Sequence, residues 1–178
     1  MHYLKSYFLI SLILYFCISL QIILWFYIFP FSPAPQIWIS FLVYSSLYTN
    51  KKSILAMSLI ISFLLMPYTI FKGFPLFFSI CSYGYIIFYA RTSMLASSIK
   101  SFFIFSLFGF IIIKIFYSAY STSSFTFNLG QALNMYNIYI SLLTGILSLL
   151  FFYIFKKIKL FAEISDYSPS TNKAIGRI

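Results

Sequence analysis

The stretch YFLISLILYFCISLQIILWFYIF, which begins at Tyr7 and ends at Phe29, decides what kind of fold this sequence can adopt. It contains no charge and is long enough to cross a bilayer as a helix, which takes about 20 apolar residues. It ends in Trp25, Phe26 and Tyr27, residue types that are typical of the membrane–water interface. The apolar region of a signal peptide runs for only about 7–15 residues, so we interpret this stretch as a retained first helix.

Five further apolar runs follow, and together the six predict an all-α integral membrane protein with about six transmembrane helices. The further runs are residues 37–48, 53–71, 74–90, 102–117 and 138–155. The second run is short, so it is either a full crossing extended by loop residues or a half-buried helix. Pro67 should kink or end the third helix. We expect a transmembrane domain over residues 1–160 and a polar cytoplasmic tail over residues 161–178.

The composition excludes a soluble domain. Apolar residues make up 62% of the chain and charged residues only 8%, whereas soluble domains carry about 25% charged residues. A soluble fold of this size has too little interior to hide so much apolar surface. The net charge of +10 would elsewhere indicate a nucleic-acid partner, but here most Lys and Arg residues stand at the ends of apolar runs. We therefore expect membrane lipids, and no nucleic acid, as the surroundings.

The distribution of positive charge predicts the orientation. With six crossings, ten of the twelve basic residues fall on one side, and Lys72 and Lys114 belong to the other. Because cytoplasmic loops carry the excess of Lys and Arg, we predict that both termini are cytoplasmic (N-in/C-in) in a multi-pass protein of the bacterial cytoplasmic membrane. If the second run did not cross, the later charges would fall on the wrong side. The ten are Lys5, Lys51, Lys52, Arg91, Lys100, Lys156, Lys157, Lys159, Lys173 and Arg177.

None of the apolar runs contains a carboxylate or an imidazole. Glu163 and Asp166 follow the last run, and His2 precedes the first. Cys17 and Cys81 fall in separate runs without histidine nearby, so we interpret both as small core residues. Acid–base catalysis and acidic proton relays need ionisable groups inside the membrane. We therefore predict that the protein is not an enzyme and has no catalytic residue, metal site or cofactor.

Lys114 is the one charge inside an apolar run, and it has two interpretations. A charge within the bilayer is costly and by default marks a functional site, here one with an inward-facing partner or ligand. Alternatively, the side chain extends along its own stem to the outer headgroups. A Ser–Lys catalytic pair is the enzymatic version of the first interpretation, but no second feature of the sequence supports it.

A stripe of small residues lies on one face of the predicted sixth helix. Such stripes let helix backbones approach closely, either within one chain or against another membrane protein. The outer segment between the fifth and sixth runs adds aromatic residues that could contribute to an interface. The predicted partner-binding residues are Ser141, Gly145 and Ser148 on the helix, and Phe125, Phe127 and Tyr136 in the outer segment.

The layout resembles the bacterial rod shape-determining protein MreD family over residues 1–160. The matching features are Leu20-Gln21 near the end of the first helix, a proline that opens the second, the basic turn after it and Lys72-Gly73 as a later turn. Family members often carry an acidic residue after the proline and an aspartate in the third helix. Here Gln36 follows Pro35, and residues 64–66 are Leu-Leu-Met.

The resemblance implies both a fold and a role. The fold would be similar to that of the substrate-binding components of energy-coupling transporters. The role would be that of a non-catalytic scaffold subunit of the cell-wall elongation (rod-shape) complex, which binds a single-span (bitopic) MreC-like partner. Two alternatives remain: a substrate-binding membrane subunit of an energy-coupling small-molecule transporter, and an accessory subunit of another membrane complex.

Overall fold

The computed structural model describes residues 2–30, 32–69, 73–91, 99–121 and 134–157, and all regular structure within these residues is helical. A short 3₁₀ turn, Met66–Tyr68, follows the third helix. The prediction of an all-α protein is therefore confirmed for this part of the chain. The helices are α1 (His2–Ile28), α2 (Ile37–Tyr48), α3 (Lys51–Leu65), α4 (Gly73–Ala90), α5 (Ile99–Ser121) and α6 (Met135–Lys157).

Five of these six helices have the length and composition needed to cross a membrane. They are α1, α3 together with its 3₁₀ turn, α4, α5 and α6. Helix α2 has 12 residues and is therefore about 18 Å long, well short of a hydrocarbon core of about 30 Å. A second crossing would therefore need residues outside α2.

Helix α2 is the axis of the bundle. Every residue from Trp38 to Leu47 is buried, and α2 contacts each of the other five helices. A helix that is apolar all round lacks a polar face to turn outward, so it is stable only when neighbours surround it. The short second run thus lies at the centre of the fold, and the longer helices surround it.

The helices run up and down, which gives the bundle two distinct ends. At one end, the Tyr7 hydroxyl donates to Ser53 Oγ at 2.8 Å and joins the start of α1 to the start of α3. At the same end, the Tyr44 ring meets the rings of Phe102 and Phe155 and joins α2 to the start of α5 and the end of α6. We call this the basic end, and the end that holds Ile28, Ser121 and Met135 the far end. The basic end carries Lys51, Lys52, Arg91, Lys100 and Lys156.

The helix boundaries confirm one prediction and extend two others. Helix α3 stops at Leu65 and Pro67 lies in the 3₁₀ turn, as expected for a residue that cannot donate a backbone hydrogen bond. Helix α5 continues past residue 117 to Ser121, and α6 begins at Met135, before residue 138. Hydropathy marks the apolar part of a helix, whereas the backbone hydrogen bonds continue through its polar ends.

Candidate functional site: the ends of the buried helix and the Lys114 contact

The first backbone groups of α2 are capped by side chains of two other helices. The N–H of Ile37 donates to Gln21 Oε1 of α1 at 3.0 Å, and the N–H of Gln36 donates to Thr144 Oγ1 of α6 at 2.8 Å. The N–H groups of a first helical turn have no acceptor within their own helix. Away from water, each unpaired group costs several kcal/mol. Gln21 and Thr144 therefore make it possible for a helix to begin inside the bundle.

This start lies well below the far end of the bundle. Helix α1 rises about 10 Å between Gln21 and Ile28, and α6 rises about 13 Å between Met135 and Thr144. Residues 33–36 approach α2 without forming a helix, and even when fully extended four residues span at most about 13 Å. Together with the roughly 18 Å of α2, this segment can reach at most about 31 Å, close to the thickness of a hydrocarbon core.

Arg91, just after α4, contacts the carbonyls at the other end of α2. Its Nη1 donates to Thr49 O at 2.8 Å and to Leu47 O at 3.3 Å. A cation at a helix C-terminus interacts favourably with the helix dipole. It can also donate hydrogen bonds to the last carbonyls, which receive none from N–H groups of their own helix. The guanidinium also lies 3.9 Å from the centroid of the Phe88 ring. Arg91 thus connects α4 to α2 at the basic end.

Lys114 contacts a polar residue of the neighbouring helix. Its Nζ is 2.7 Å from Oδ1 of Asn137 on α6 and 5.0 Å from the centroid of the Phe110 ring. Asn137 is buried, with 3% of its surface exposed. The ammonium is therefore held at the α5/α6 interface near the far end of the bundle.

The small residues of α6 lie at an interface inside this chain. Ser141, Gly145 and Ser148 are buried, and a Cβ at Gly145 would stand 3.1 Å from Leu107 Cβ and 3.3 Å from Phe103 Cε2, both on α5. Their face is therefore filled by α5. The stripe thus packs within this chain, one of the two interpretations of its sequence, and a partner could reach Ser141, Gly145 and Ser148 only by displacing α5.

A groove of about 480 Å³ lies at the far end, between α1, the residues after it and the start of α6. Tyr136, one of the predicted partner-binding residues, lines this groove and is 57% exposed. The other groove residues are mostly apolar and aromatic, Trp25 and Phe29 among them. Phe125 and Phe127 lie outside the described residues. Tyr136 is thus the predicted interface residue that the structure places at an accessible surface.

Sequence analysis missed the three side chains that hold α2. Gln21 was available as the single amide within the first apolar run, and a polar side chain at that depth needs a polar contact. Thr144 had no comparable signal, since serine and threonine are common throughout the apolar runs. Arg91 was counted only among the charges of the cytoplasmic side, because its sequence position does not reveal which helix end it reaches.

The described part of the chain contains no group of three or more His, Cys, Asp or Glu side chains that could hold a metal ion. Cys17 and Cys81 are free thiols, each half-buried. The chain was then compared with protein families, curated proteins and solved structures, and none of the three comparisons gave a match. The resemblance to the rod shape-determining family therefore stays a prediction that rests on the residues quoted above.

Proposed function

We propose that the chain crosses the bacterial cytoplasmic membrane six times, with both termini and residues 161–178 in the cytoplasm. The location of Lys51, Lys52, Arg91, Lys100 and Lys156 at one end of the bundle supports this orientation, because positive residues favour the cytoplasmic side. The second crossing is composite: residues 33–36 enter as a non-helical segment and α2 completes the passage. Buried non-helical backbone is tolerated at membrane depth when protein surrounds it.

Within that topology, the protein is a non-catalytic scaffold subunit of the cell-wall elongation complex, and it binds a single-span MreC-like protein. The observation that carries the proposal is the exposure of α1. Only 17% of its spanning residues are buried, against 33–39% in the other four long helices. Helix α1 packs mainly on α2 and α3, so most of its length is available to a partner's transmembrane helix.

The partner's helix lies along the side of α1 that carries Phe8, Leu12, Phe16 and Ile23, all of them exposed. This face of α1 is the proposed interface in place of the small-residue stripe on α6, because that stripe already packs against α5. The groove beside Tyr136 continues the same surface at the far end. It accommodates the segment that joins the partner's helix to its external domain.

Co-purification tests this proposal. We expect an MreC-like protein to be captured with the wild-type chain, and Phe16→Ala or Ile23→Ala to reduce its capture several-fold, because these changes remove exposed side chains from the proposed contact. Phe108→Ala is the matched control, since Phe108 is exposed to a similar degree on α5. Failure of the wild type to bind an MreC-like protein would refute the scaffold role. Equal capture by all variants would place the interface elsewhere.

A second candidate is the substrate-binding subunit of a small-molecule transporter, and the position of α2 favours it. Transporters often build their sites at helices that begin or end within the membrane, and α2 begins about 10–13 Å below the far end. At that point Gln21, Gln36 and Thr144 provide amide and hydroxyl groups. Co-purification of an ATPase pair in place of an MreC-like protein would support this alternative.

A further inference from the structure

Lys114 brings a full positive charge to the α5/α6 interface, where its contacts do not neutralise it. The ammonium has three donors, and one of them points to Oδ1 of Asn137 at 2.7 Å. An amide oxygen accepts a hydrogen bond but carries no formal charge. The Phe110 ring contributes an electrostatic attraction at 5.0 Å, which also leaves the net charge unchanged.

The two carboxylate side chains of this chain are far from Lys114 in the sequence. The sequence has two of them, Glu163 and Asp166, and both follow Lys157, the last residue of α6. From Asn137 to Lys157, α6 rises about 30 Å. The described helices thus provide no carboxylate to balance Lys114, and the membrane around them is a source of anions.

The surroundings of Lys114 are lipid on one side. Ile104 and Phe108 lie on the adjacent stripe of α5 and are about half exposed. Tyr136 and Tyr139, near the start of α6, are also exposed, and tyrosines with free access to the surface are characteristic of the headgroup level. Lys114 thus lies beside the apolar, exposed stripe of α5, at a depth close to that of the exposed tyrosines at the start of α6.

We propose that Lys114, held in place by Asn137, binds the phosphodiester of an anionic phospholipid in the leaflet at the far end of the bundle. The ammonium donates charge-assisted hydrogen bonds to the phosphate oxygens. Asn137 fixes the amine at the correct height, because its own side chain is buried and cannot move far. The acyl chains run along the exposed stripe of α5. This site is independent of the scaffold role, since it needs only the membrane around α5 and α6.

Native mass spectrometry of the purified chain tests the proposal with phosphatidylglycerol as the probe and phosphatidylcholine as the zwitterionic reference. We expect the wild type to bind at least one phosphatidylglycerol more tightly than phosphatidylcholine, and Lys114→Gln to weaken that binding about fivefold, the factor for one basic residue at an anionic surface. Lys114→Arg keeps the charge and should keep the binding. Lys100→Gln, at the basic end of the same helix, is the matched control and should leave this binding step unchanged.

Three results would overturn the proposal. Equal weakening by Lys114→Gln and Lys100→Gln would mean that the lipid responds only to total charge. Displacement of the lipid by millimolar inorganic phosphate would identify a site for free anions. If Lys114→Gln left lipid binding unchanged but released a co-purified protein, the anion would be a partner's carboxylate. Because Lys114→Arg keeps the positive charge, its retained binding beside a loss in Lys114→Gln assigns that loss to the charge.

Discussion

Replacing Gln21 by leucine removes the acceptor for the first N–H group of α2. Gln21 is 9% exposed, and its Oε1 lies 3.0 Å from the nitrogen of Ile37. Leucine has a similar size and is favourable in lipid, so the substitution should not prevent insertion of α1. The change therefore isolates the contribution of one cap to the stability of the bundle.

Two terms set the size of the effect. Interhelical hydrogen bonds in membrane proteins contribute on average about 0.6 kcal/mol and at most about 1.7 kcal/mol. An N–H left buried without a partner adds a desolvation penalty of about 1–3 kcal/mol. Because the substitution both removes the bond and leaves the Ile37 donor inside the protein, we expect Gln21→Leu to lower the free energy of unfolding by about 2–4 kcal/mol.

Unfolding in mixed micelles of mild detergent and dodecyl sulfate measures this difference. Trp25 and Trp38 provide the fluorescence signal, and both lie near the start of α2 or the segment that leads to it. Ser19→Ala is the matched control on the same helix, because Ser19 Oγ is buried and contacts no polar partner among the described residues. A loss for Gln21→Leu no larger than that for Ser19→Ala, or below about 0.5 kcal/mol, would refute the capping role.

Two further substitutions test other contacts. Arg91→Gln removes the cation from the Thr49 and Leu47 carbonyls. It should lower the free energy of unfolding by about 1–2 kcal/mol in the same unfolding assay. A change as small as that of the control Lys100→Gln would contradict this role. Gly145→Leu should lower the yield of folded protein in size-exclusion chromatography, because even a Cβ would stand 3.1 Å from Leu107 and overpacking costs about 1–3 kcal/mol. Ile146→Leu, on the exposed side of α6, is its control, and a normal yield of Gly145→Leu would argue against the tight α5/α6 contact.

The sequence predicted the helical membrane architecture because hydropathy reports directly on the environment of each segment. Each of the six apolar runs contains a helix of the described structure, and Pro67 ends α3 for the reason anticipated from its missing N–H. The helix ends were less accurate, because residues such as Ser118 continue a helix without being apolar. Hydropathy also left two interpretations of the second run, a full crossing extended by loop residues or a half-buried helix; the structure shows a helix of 12 residues that is buried from Trp38 to Leu47.

The contacts between helices were harder to predict. Ser141, Gly145 and Ser148 form a small-residue stripe that looks the same whether α5 or another protein covers it. Only the three-dimensional arrangement distinguishes the two, and it places Leu107 and Phe103 against Gly145. Likewise, Thr144 is one of many hydroxyl residues, and its role depends on the approach of a segment more than 100 positions away in the chain.

The most direct test of the account is the sidedness of the residues on either side of α2. Single cysteines at Ser32 and at Asn50, in a chain whose Cys17 and Cys81 are replaced by alanine, can be labelled with a membrane-impermeant maleimide in intact cells. The composite crossing predicts that the cysteine at Ser32 is labelled from outside, and that the cysteine at Asn50 is labelled only after the membrane is opened. Labelling of both positions from the same side would contradict the second crossing, and with it the six-crossing topology.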